Sequence, residues 1–109
     1  MKKLLLTLSL FISSQCFSHE TPPELWSWIK DLDKSKAACE IQSAFVLKGL
    51  KLDSQKENKY GIYSTYKNNR IVIKCIEVAT SKSKLIVAVA GNDRDAVALL
   101  RNKIVTSIN

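Results

Sequence analysis

The side chains best able to do chemistry are scarce in this chain: Cys16, Cys39, Cys75 and a single histidine, His19. Nucleophilic catalysis by serine or cysteine needs an imidazole base beside the nucleophile. One histidine near the amino end leaves none for the body of the chain. An amino-terminal His19 would chelate copper through its amine and ring, but an oxidative copper centre of that kind needs a second histidine. Zinc lacks ligands once two cysteines are oxidised. Gly91-Asn92-Asp93-Arg94-Asp95 is the densest polar cluster, yet it has neither the spaced carboxylates nor the distant glutamate of a calcium loop. Its Asn and Asp read as a helix cap. Glu40 and Glu77 would make a carboxylate pair of the glycosidase kind, but nothing local positions them together. The reading is non-enzymatic, with no catalytic residue, metal or cofactor expected.

A second constellation interleaves Tyr60, Tyr63 and Tyr66 with Lys59, Lys67, Arg70 and Lys74. Aromatics among cations on strands can stack on bases or sugars, although tyrosine is also a good strand residue in its own right. No nucleic-acid motif accompanies them, so no nucleic acid is expected. Lys67, Arg70 and Lys74 are the candidate contacts to an anionic polymer.

The compartment follows from the amino end. Met1-Lys2-Lys3, the apolar run Leu4 to Ile12 and the polar Ser13-Ser14-Gln15 are the three parts of a secretory signal. The run is far short of the ~20 residues a membrane-crossing helix needs, and no later segment is long and apolar enough. Cleavage is expected after Ser18. Gln15 suits poorly the small residue that lipidation of Cys16 requires. Of the 109 residues, 18 are removed, leaving 91 for one domain over residues 19–109. The whole chain has 17 basic and 10 acidic residues, a net +7; losing Lys2 and Lys3 leaves 15 and 10, a net +5. That charge suits solubility, and it also suits anionic envelope partners such as lipopolysaccharide, peptidoglycan or an acidic protein. Cys39 and Cys75 remain as an even pair in an oxidising compartment, so a disulfide is expected rather than two free thiols.

These residues need elements to hold them. Thr21-Pro22-Pro23-Glu24 reads as a helix start with a capping box, and Leu25, Trp28, Ile29 and Leu32 follow at helical spacing. Asp33 or Ser35 caps a second helix to Lys48, with Gly49 as a left-handed stop. That helix is apolar on two sides. Ala38, Ile41 and Phe45, flanked by Ala37 and Ala44, form one stripe; Cys39 and Val46 lie round the other way and should face a sheet. The first stripe is expected to meet the first helix through Trp28, or else a partner chain, which makes Ile41, Phe45 and Trp28 the candidate partner-binding residues. Leu50 to Asp53 starts a strand, Ser54 to Asn58 is a connector, and Tyr60 to Tyr66 is a strand. Asn68-Asn69 marks a tight hairpin into a strand from Arg70 to Ala79. Thr80 to Ser83 turns into Leu85 to Ala90, which is apolar throughout and so is covered on both faces or central. A last helix runs from Arg94 to about Ser107 on Val97, Leu100, Ile104 and Ile108. The expected fold is α+β: a small antiparallel meander of three to four strands, with two N-terminal helices and one C-terminal helix packed on it.

Cys39 on a helix ending at Gly49, Tyr60-Gly61, Cys75 in the next strand, and Val89-Ala90-Gly91-Asn92-Asp93 before the last helix form a pattern over about two-thirds of the chain. It resembles a set of small exported bacterial proteins of uncharacterised function. The resemblance implies a disulfide and export but transfers no activity, and the Trp-bearing first segment departs from it. The function expected is that of a periplasmic or secreted binding domain of unknown partner. A periplasmic inhibitor or immunity-type protein against a toxin or hydrolase, and an envelope polyanion binder, are the alternatives.

Overall fold

The computed structural model describes residues 21–109; the signal segment, Cys16 and His19 lie outside the described residues. The first segment is not a helix. Glu24–Leu32 is strand β1, paired antiparallel with the apolar run near the end of the chain from Glu24 opposite Gly91 to Leu32 opposite Ser83. Leu25, Trp28, Ile29 and Leu32 satisfy a helical period, but Trp26, Trp28, Lys30 and Leu32 satisfy a period of two equally well. Tryptophan and isoleucine favour strands, and Pro22-Pro23 holds the approach extended. Pairing then closes an edge that would otherwise leave nine residues of an apolar strand unpaired.

Ser35, not Asp33, caps helix α1 (Lys36–Lys48), accepting a hydrogen bond from the Ala38 backbone N–H at 3.1 Å. Cys39, Ser43 and Leu47 are its buried residues, spaced four apart on the side facing the sheet. Gly49 ends the helix in right-handed geometry (φ −70°, ψ −17°) and not as a left-handed stop. Its N–H is shared between the Phe45 and Val46 carbonyls, which tightens the last turn.

Ser54–Asn58, expected as a connector, is strand β2, while Leu50 to Asp53 forms no strand. All five β2 side chains are exposed, so no apolar pattern marks them. A hairpin to β3 (Gly61–Tyr66) holds them instead, with the Tyr60 backbone N–H donating to Asn58 Oδ1 at 2.8 Å. Gly61 sits at φ +154°, where an added Cβ would lie 2.7 Å from the Ile73 carbonyl oxygen. The next turn centres on Lys67 and Asn68, both at positive φ, one residue earlier than the expected Asn68-Asn69; Asn69 opens strand β4 (Asn69–Ala79) and is buried. A two-residue turn leads to β5 (Lys82–Gly91), and helix α2 (Arg94–Ser107) follows, capped by Asp93, whose Oδ1 accepts from the Asp95 N–H at 3.1 Å.

The five strands form one antiparallel sheet in the order β1-β5-β4-β3-β2. The architecture is therefore two helices on a five-stranded sheet, not three helices on a meander of three or four strands. Both helices pack on one face, where Ile62, Ile71, Ile73, Leu85, Val87 and Val89 meet Leu47, Val97, Leu100 and Ile104. Within this layer Cys39 of α1 is bonded to Cys75 of β4, with their Cα atoms 6.1 Å apart. β1 is tied to α2. Lys30 Nζ donates to the Val105 and Ile108 carbonyls at 3.2 and 2.7 Å, supplying the cation that the last turn of α2 lacks. Arg101 donates to the Ser27 carbonyl and lies over the Trp26 and Trp28 rings at 5.1 and 5.3 Å.

Candidate interaction surface

Because successive strand side chains alternate between faces, each strand that feeds the core also presents an outward set. On β1 this set is Leu25, Ser27, Ile29 and Asp31; the register places Ala90, Ala88, Ile86 and Lys84 of β5 opposite them. β4 continues the face with Arg70, Val72, Lys74 and Ile76, β3 with Tyr63 and Thr65, and β2 with Ser54 and Lys56. No element among the described residues covers this face. Leu25 is 71% exposed and Ile29 59%, and Ile86, Ala88, Ala90 and Val72 are only half-buried beside them. Five strands at ~4.8 Å spacing make a face about 20 Å across. Its apolar part, on β1 and β5, is an exposed patch of the kind that marks interaction sites.

Charge on the face is arranged in two ways. At one end Lys84 pairs with Asp31 at 2.7 Å and Lys82 with Asp33 at 3.8 Å. Lys56, Arg70 and Lys74 take part in none of the ion pairs among the described residues. Lys56 and Arg70, with Tyr63, Thr65 and Val72, line a depression of ≈ 240 Å³. Apolar side chains thus concentrate on β1 and β5, and unpaired cations on β4 and β2.

The residues expected to act are placed as follows. Cys39 and Cys75 are joined. Arg70 and Lys74 share the outward face; Lys67 lies in the β3–β4 turn against Tyr66, at 5.3 Å from its ring, and is not on that face. Of the three tyrosines, Tyr63 faces outward, Tyr66 packs against the core, and Tyr60 occupies a turn. Ile41 and Phe45 are 72% and 75% exposed on the outer side of α1. Phe45 lines a groove of ≈ 400 Å³ between the helices with Gln42, Val46, Leu50, Lys103 and Ile104, among others. Trp28 is not among those residues. It belongs to β1 and sits under Arg101, so the expected cover of the α1 stripe by an N-terminal helix does not exist. Glu40 pairs with Lys36 at 3.5 Å, and Asp93 serves as the expected helix cap. Sequence reasoning missed Leu25, Ile29 and Lys56 as members of a common face; the period-two spacing of Leu25 and Ile29 carried the signal.

No helix among the described residues is long and apolar enough to cross a membrane. No protein-family model, curated protein or solved structure matches the chain, so the surface is read from its own geometry.

Proposed function

We propose that this chain is an exported, non-enzymatic binding domain whose working surface is the outward face of its sheet. The observation that carries the reading is an apolar strand, β5, buried by helices on one side and left open on the other beside Leu25 and Ile29. A sheet with one solvated face ordinarily alternates apolar and polar residues; here the solvated positions Ile86, Ala88 and Ala90 are apolar. The signal-like amino end and the Cys39–Cys75 bond, compatible with an oxidising compartment, support export. In-cell photo-crosslinking tests the reading, with a benzophenone amino acid at Ile86 and, as control, at Leu99, an exposed apolar residue of α2. An adduct of defined mass from position 86 but not from position 99 is expected. Adducts from 99 alone, or from neither position to protein or to lipid, would overturn it.

A second reading places a protein partner on α1, as an inhibitor or immunity-type protein would require. The exposure of Ile41 and Phe45 favours it, and a crosslink from position 45 with none from position 86 is its signature.

A further inference from the structure

We infer that the outward sheet face docks on a membrane surface rich in net-anionic phospholipids, an assignment that rests on the open-face reading above. The charge pattern selects the partner. Lys56, Arg70 and Lys74 are unpaired cations on the same face as the exposed aliphatics of β1 and β5. The face's own carboxylate, Asp31, is already paired with Lys84, so a second copy stacked on it offers these cations no free partner, whereas an anionic layer neutralises them. The apolar half is aliphatic and offers no deep socket, while Trp26 and Trp28 lie on the opposite, helix-bearing side. A broad aliphatic band beside long cationic stems suits the boundary between acyl chains and head groups. The depression between Lys56, Arg70 and Tyr63, ≈ 240 Å³, is smaller than the ~300–1,000 Å³ of drug-sized ligand pockets. It is of a size for a phosphate head group.

The test is sedimentation of the mature chain, disulfide intact, with vesicles of phosphatidylglycerol and phosphatidylcholine, against vesicles of phosphatidylcholine alone. Binding to the anionic vesicles only, weakening as salt is raised, is expected. Each lysine or arginine near an anionic leaflet contributes about five-fold to partitioning, so Lys56→Gln/Arg70→Gln/Lys74→Gln should lower it by about 100-fold. Ile29→Ser/Ile86→Ser should lower it by about ten-fold or more. Circular dichroism confirms that both variants keep the fold. Equal binding to the zwitterionic vesicles, or anionic binding unchanged in either variant, would overturn the inference. Absence of vesicle binding together with a protein-sized adduct at Ile86 would remove the lipid and leave the open face with an acidic protein partner. Absence of both would remove the inference and the reading beneath it.

Discussion

Reducing the Cys39–Cys75 bond leaves every side chain in place and so isolates what the cross-link itself contributes. The two cysteines are 36 residues apart, and closing a loop of that length removes about 3.8 kcal/mol of chain entropy from the unfolded state. Against the 5–15 kcal/mol typical of a whole domain, that is a large share. For a domain of this size each kcal/mol moves the melting temperature by about 4–8 °C, so reduction should lower it by about 15–30 °C. Thermal unfolding followed by far-ultraviolet circular dichroism, with and without reductant, reads the shift directly. Cys39→Ala/Cys75→Ala provides the comparison. Both sulfurs are buried, with Cys75 Sγ 3.7 Å from Ser43 Oγ, so the double variant loses packing as well and should melt at or below the reduced protein. An unchanged melting temperature on reduction would refute the reasoning, because the cross-link would then remove no entropy from the unfolded state that matters to stability.

Three further substitutions probe particular contacts. Gly61→Ala should cost about 1–3 kcal/mol in urea unfolding, since φ is +154° and the new methyl would press on the Ile73 carbonyl; near-neutral behaviour would show that the hairpin relaxes freely. Ser64→Ala should raise stability by on the order of 1 kcal/mol, because Ser64 Oγ is buried with no hydrogen-bond partner; a clear loss in the same assay would contradict this. Lys30→Met should cost about 1–2 kcal/mol and loosen the end of α2 in hydrogen exchange, since its ammonium holds the Val105 and Ile108 carbonyls; unchanged protection there would count against that role.

The parts of the fold that local chemistry dictates were legible in the sequence. Asp93 before Arg94 and the stripe Val97, Leu100 and Ile104 mark α2 with its cap and its buried side, and the cysteine pairing follows from compartment and parity. The two apolar sides of α1 were plain, and Cys39 lies against the sheet as expected, but the stripe of Ile41 and Phe45, expected under a first helix, is exposed. What local pattern cannot see is a vacant edge elsewhere. Leu25 to Leu32 fits two periods at once, and β5 decides between them by offering nine unpaired positions. β2 is illegible for the opposite reason: Ser54 to Asn58 buries nothing and is a strand only because β3 pairs with it. The candidate surface was hidden by the same error. With β1 read as a helix, the apolar run of β5 looked covered, and Arg70 and Lys74 had no aliphatic neighbours to join.

The most direct test of the open face is its accessibility where the protein works. Ile86→Cys and Leu99→Cys place a thiol on the outward sheet face and on the exposed side of α2, each in a chain that keeps the native disulfide. Their rates of labelling by a membrane-impermeant maleimide are compared in exporting cells, opened to the reagent, and in purified protein. The expected result is that Ile86→Cys labels several-fold more slowly in cells than when purified, while Leu99→Cys labels at the same rate in both. Equal rates for Ile86→Cys in the two settings would mean that nothing covers this face, and the sheet would then be scaffold alone.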